Sequence, residues 1–179
     1  MHDGAGMVTT FRFLALVLTA LILGGAFCHV LELPVKMTLD PADYIVVQQI
    51  YGGFGPVGAV LEPGAIAASI VLAFLRRRRR GFGAAVIGVL FLLAALASWA
   101  VVVNPVNAHW AAAGPHSVPP DFESLRARWE YGHALHAALL FAAFVSVVVS
   151  VLAATRPAAA TGRLDSAVDG RAQHRDHVA

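Results

Sequence analysis

Four long apolar stretches, separated by short polar ones, leave this chain few ways to fold. Phe11–Leu31 carries one charge, Arg12, near its start, and Val57–Leu75 carries only Glu62. Phe82–Val103 and His133–Ala154 carry none. Each is about long enough to cross the hydrocarbon core of a bilayer as a helix. The chain is 58% hydrophobic and 13% charged, whereas soluble domains are about a quarter charged. The expectation is an all-α integral membrane four-helix bundle of one domain. Its parts are an N-terminus at 1–10, a membrane domain at 11–154 with spans near 11–31, 57–75, 82–103 and 133–154, and a disordered tail at 155–179. A cleaved signal peptide is the rival reading of the first stretch, because Gly24-Gly25-Ala26 can pass for a cleavage site. Phe27 before Cys28 argues against a lipoprotein site.

The linking segments carry clear signals. Asp40-Pro41 begins a short helix, with Asp40 as N-cap, Pro41 at the first helical position and Asp43 in the first turn. This short outer helix should run to about Tyr51, where Gly52, Gly53, Gly55 and Pro56 interrupt it. Asn104-Pro105 should end the third span and leave a loop over 106–120. Asp121 caps a last helix running from Phe122 to about Ala154, too long for one crossing, so its first turns should stand in water. The block Arg76–Arg80 belongs on the cytoplasmic side by the positive-inside rule, which makes both termini cytoplasmic in a plasma (inner) membrane protein. The block then serves as a topology anchor that also attracts anionic lipid. With a formal net charge of +2 and its basic residues concentrated there, the chain offers no surface for nucleic acid. A single cysteine, Cys28, excludes an internal disulfide framework and a four-cysteine zinc site.

This topology gathers the polar residues of the spans, apart from Arg12, at the outer end. They are His29 and Glu32 on span one, Gln48 and Tyr51 before span two, Glu62 near its start, Asn104 and Asn107 after span three, and Trp129, His133 and His136 on the last helix. Arg126, Trp129, His133 and His136 fall within roughly an 80° arc of one helix. Ionisable groups inside a bilayer are costly and commonly mark function, and a cluster drawn from four helices suggests one pocket opening outward. The alternatives are interhelical hydrogen bonding for His29 and Glu32 and a place in the interfacial aromatic belt for Trp129 and Tyr131.

The Asn104-Pro105-Val106-Asn107 segment, the later Arg128-Trp129 and His133, the Gln48-x-x-Tyr51 pair and the histidine near the end of span one together resemble the anthrone oxygenase family. This is a broad set of small four-span membrane proteins, most of unknown function. The resemblance covers roughly Phe11 to Ala154 and implies oxidation of a tricyclic anthrone to a quinone by molecular oxygen. It assigns nothing to His136.

An anthrone is a carbon acid, so this chemistry needs a base, donors for the enolate oxygen and a dry slot. His133 or His29 would be the base, with Glu32 beside His29. Asn104, Asn107 and Tyr51 would be donors, while Trp129, Gln48, Glu62 and the gap at Gly25 would hold the apolar small molecule. This route needs no cofactor. Two alternatives use one: a haem held axially by His29 and His133, or non-haem iron or zinc on His29, Glu32, His133 and His136. A non-enzymatic ligand carrier or structural bundle is a further reading. In all the enzymatic ones His133 should face the interior within reach of His29 or Asn104, with His136 more peripheral or acting as its partner.

Overall fold

The computed structural model describes residues 2–114 and 116–153, and the tail expected to be disordered lies outside the described residues. The described residues form helices joined by short turns, with no strand among them. In chain order the elements are α1 (His2–Lys36), α2 (Pro41–Gln48), a 3₁₀ turn (Gln49–Gly53), α3 (Phe54–Leu75), α4 (Phe82–Ser98), a π turn (Trp99–Val103), α5 (Asn104–Ala113) and α6 (Phe122–Ala153). Four helical stretches are long and apolar enough to cross a membrane: Gly6–Lys36, Pro41–Leu75, Phe82–Ala112 and Phe122–Ala153. This is a multi-pass membrane protein. α1 packs on α3 and α6, and α4 packs on α3 and α6, so the four long helices close into a ring.

Small residues line the inside of that ring. Ala26, Ala65, Ala95, Ala137 and Ala143 are buried with Leu92 and Leu140 in one cluster, and Ala15, Ala68, Leu72 and Val147 form a second. Large apolar side chains point outward instead, among them Phe13, Val60, Phe74, Leu90 and Phe141, each at least 60% exposed. An exterior of this kind suits lipid tails, and helix association in lipid rests on close packing of small residues. Gly132 of α6 shows how close that packing is: a Cβ there would lie 2.9 Å from side-chain atoms of both Val102 and Val103.

Several boundaries differ from the expectations. Asp40 caps α2 as expected, its side chain accepting a hydrogen bond from the Asp43 amide at 3.0 Å, with Pro41 in the first turn. The glycines at 52, 53 and 55 do not break the chain; a 3₁₀ turn carries α2 into α3. Asn104-Pro105 does not end the third span either. The helix widens into a π turn, in which the Asn104 amide donates to the Trp99 carbonyl, and continues as α5 to Ala113. Pro105 cannot donate to the Val101 carbonyl. The Arg128 guanidinium does so instead, donating to Val101 O at 2.9 Å and Val102 O at 3.1 Å. The loop expected over 106–120 is thus shortened to the residues after Ala113.

The first turns of α6 are not left bare in water. Phe122 packs with Tyr44 and Ile45 of α2, and Trp129 packs with Val103 and Val106. Arg126 is buried and donates to the Leu39 carbonyl at 2.8 Å, while pairing with Glu123. α2, the 3₁₀ turn and α5 therefore form a cap over one end of the bundle, called the polar end below. The opposite end carries Arg76–Arg80 in a turn where Gly81 adopts φ +83°; a Cβ there would lie 2.6 Å from the Ser150 carbonyl.

Candidate functional site

Beneath the cap lies a cavity of about 1040 Å³, lined mostly by apolar side chains of α1, α3, the 3₁₀ turn and α5. Its rim includes Leu21, Ile50 and Val57, each more than half exposed, so it opens through the side of the bundle. His29, Gln48, Tyr51, Glu62, Asn107, Trp129, His133 and His136 also line it. The four membrane-length helical stretches thus bring most of the expected site residues to one space.

The centre of the polar wall is a pair of histidines. The rings of His29 on α1 and His133 on α6 lie with centroids 4.1 Å apart and planes inclined by 33°. Both side chains are buried, and the Nδ1 atom of each lacks a hydrogen-bond partner. Trp129, one turn before His133, stands 4.2 Å from it and 5.0 Å from His29. Its indole is fixed by donating to Asn107 Oδ1 at 2.8 Å. Tyr51 lies 4.6 Å from His29 on the other side, with its hydroxyl buried and unpartnered. Gly25 lines the cavity next to Phe54, whose ring lies 3.9 Å from where a Cβ would stand.

His136 is not peripheral. It is buried on the same face, 6.4 Å from His133 between ring centroids. Its Nδ1 lies 2.9 Å from the Ala95 carbonyl, which can only accept, so this nitrogen carries the proton. Nε2 then faces Glu62 Oε2 at 3.8 Å, and Glu62 Oε1 is buried without a partner.

Two expected site residues fall elsewhere. Asn104 is exposed and does not line the cavity, because the π turn rotates it away while Asn107, three residues on, comes under Trp129. Glu32 is half-buried at the end of α1 outside the cavity lining, and its charge acts on Lys36. Tyr131 is 59% exposed, as an interfacial aromatic would be, but Trp129 is buried at 4%.

The cofactor alternatives fit poorly. Two axial haem ligands aim ring nitrogens at one iron from opposite sides of a macrocycle. His29 and His133 stack too closely for a macrocycle to stand between them. Among the described residues, no group of three or more His, Cys, Asp and Glu side chains is arranged to hold a metal ion. The set of His29, Glu32, His133 and His136 does not converge, since Glu32 lies outside the cavity and His136 is turned to Ala95 and Glu62.

Behind the histidines is a second polar network, built around Lys36 and Glu130. Lys36 and Glu130 are buried and form an ion pair at 2.6 Å. Lys36 also donates to Gln48 Oε1 at 2.8 Å, Gln48 Nε2 donates to the Tyr44 oxygen at 3.1 Å, and the Tyr44 hydroxyl donates to Glu130 Oε1 at 2.8 Å. The four side chains form a closed ring joining α1, α2 and α6. The ammonium lies 4.2 Å from the Trp129 ring centroid and 4.5 Å from that of Tyr51, both of which touch His29. Part of the signal for this network was present in one helical spacing, Tyr44 to Gln48, which places that pair on one face. No family model, no curated protein and no solved structure matches the chain.

Proposed function

We propose that this protein binds a flat, largely apolar ring compound of the anthrone or quinol type in the cavity and promotes its oxidation by dioxygen. One observation carries the reading: polar atoms of His29, Tyr51, Glu62 and His133 that lack partners all belong to side chains lining one apolar cavity. A buried polar atom without a partner costs about 1–3 kcal/mol. A ligand whose own polar atoms meet these groups offsets that cost, while its rings fill the apolar remainder.

For an anthrone, His133 or His29 takes a proton from the methylene carbon. The electron pair moves to the ketone oxygen, where the Tyr51 hydroxyl can donate and the nearby Lys36 charge favours the anion. Carbon then bonds to dioxygen and a proton completes a hydroperoxide. Loss of the second methylene proton and cleavage of the O–O bond release water and leave a carbonyl. The balance is R₂CH₂ + O₂ → R₂C=O + H₂O, with dioxygen as the oxidant. The resemblance to anthrone oxygenases supplies the reaction class. Glu62 and His136 hold the far side of the ligand. The positive-inside rule favours a cytoplasmic position for the arginine turn and both termini in an inner membrane, with the cap and cavity at the outer face.

Purified protein in detergent should convert a lipophilic anthrone to its quinone with one dioxygen consumed per quinone formed. His133→Gln should lower turnover by about 10²–10⁴-fold, the usual contribution of a positioned base, while ligand quenching of tryptophan fluorescence persists. Quenching without turnover in the unaltered protein would replace the oxygenase with a carrier of ring compounds. No quenching at all would end both readings.

A further inference from the structure

At the arginine end one guanidinium group is buried in the fold and a second is half-buried beside it, rather than both being spread over the surface. Arg76 follows α3 and is 3% exposed. It donates to the Arg80 carbonyl through Nη2, but its Nε and Nη1 have no partner. Arg12, on the first turns of α1, is half-buried, and its Nε is likewise buried and unpartnered. Phe11 and Ala15 of α1 pack in one cluster with Ala68 and Leu72 of α3, which brings Arg12 and Arg76 to the same end of the helix pair. Burial, then Arg12 and Arg79, push the Arg76 guanidinium below its ordinary value. No ion pair among the described residues reaches either group. Gly81 keeps this arrangement open, because a Cβ there would stand 2.9 Å from Arg76 Nη2.

Two like charges with unused donors, held together by the fold and with no acid paired to them among the described residues, are unfavourable unless an anion joins them. The neighbours Arg77, Arg78, Arg79 and Arg80 are exposed and add positive potential around the same place. Guanidinium groups bind phosphate oxygens through paired N–H donors. Arg76 also follows directly on the end of a membrane-length apolar stretch, Pro41–Leu75.

We propose that Arg12 and Arg76 form a specific phosphate site between α1 and α3, filled by the phosphodiester of an anionic phospholipid. This differs from diffuse attraction to the exposed arginines, because it depends on two named side chains, one buried and one half-buried, from different parts of the chain. It also makes an unusual prediction. Removing one charge should relieve repulsion in the empty protein and at the same time remove the response to lipid.

The test is thermal unfolding of the full chain in a neutral detergent with added phosphatidylglycerol, phosphatidylcholine or inorganic phosphate. Phosphatidylglycerol well above its dissociation constant should raise the midpoint by about 5 °C, and phosphatidylcholine should not. Arg12→Gln and Arg76→Gln should each abolish that rise, and Arg12→Gln without lipid should melt at or above the unaltered protein. If Arg76→Gln does not fold, Arg12→Gln decides alone. The double change Arg77→Gln with Arg78→Gln should keep most of the rise. An equal rise with inorganic phosphate would keep the site but make its ligand a soluble phosphate. A rise that survives Arg12→Gln, or is absent from the unaltered protein with both anions, overturns the proposal.

Discussion

Lys36 shows how a side chain's meaning depends on what folds over it. As sequence it is a lone cation after an apolar run, shortly before Asp40-Pro41, and reads as a water-facing charge. In the fold, α2 turns back across the end of α1 and α6 supplies Glu130, so the ammonium is 3% exposed. Breaking a buried pair from one side is costly, because the remaining charge has no water to return to. Glu130→Ala should therefore destabilise the protein by about 3–5 kcal/mol, measured by unfolding in detergent. The double change Lys36→Met with Glu130→Leu should cost much less than Glu130→Ala alone. If both behave alike, the pair is not closed off from water. The histidines were more legible than this network. His29 and His133 declare themselves as polar residues inside apolar runs, whereas Lys36 and Glu130 lie in segments that are polar anyway. Only tertiary contact distinguishes them from solvated neighbours. Asn104 failed for a related reason, since a single π turn decides which of two nearby asparagines lies under Trp129.

At the level of elements, the third span teaches the most. Asn-Pro is a reasonable stop signal, yet here the helix continues because Arg128 of α6 takes over the hydrogen bond that Pro105 cannot make. The compensation comes from a residue far along the chain, so no local pattern reveals it. Arg128→Ala should destabilise the protein by about 1.5–3 kcal/mol, the range for a charged hydrogen bond. In a Pro105→Ala background, where residue 105 regains its amide, the same change should cost less. A full-sized loss in both backgrounds would show that Arg128 acts elsewhere. Gly132 gives a second test of the same contact. Gly132→Leu forces a side chain against Val102 and Val103 and should destabilise by about 1–3 kcal/mol. Because His133 is the next residue, it should also weaken ligand quenching. The capped start of α2, by contrast, was plain in Asp40-Pro41, where the determinants are adjacent in sequence.

For the molecule as a whole, the four apolar runs and the single arginine block were enough to give the bundle, because length and hydropathy leave little choice in lipid. The orientation proposed from that block is directly testable. With Cys28 replaced by Ser, Ser117→Cys should react with an impermeant thiol reagent added outside intact cells, and Arg78→Cys only after the cells are opened. The reverse pattern would invert the topology and put the cavity at the inner face. The side opening past Leu21, Ile50 and Val57 bears on how any activity is measured. A compound that enters there arrives from among the lipid tails, so its effective concentration is its mole fraction in the bilayer or micelle. At fixed amounts of protein and compound, added detergent or lipid should slow the reaction by dilution within the apolar phase, although the molarity in the tube is unchanged.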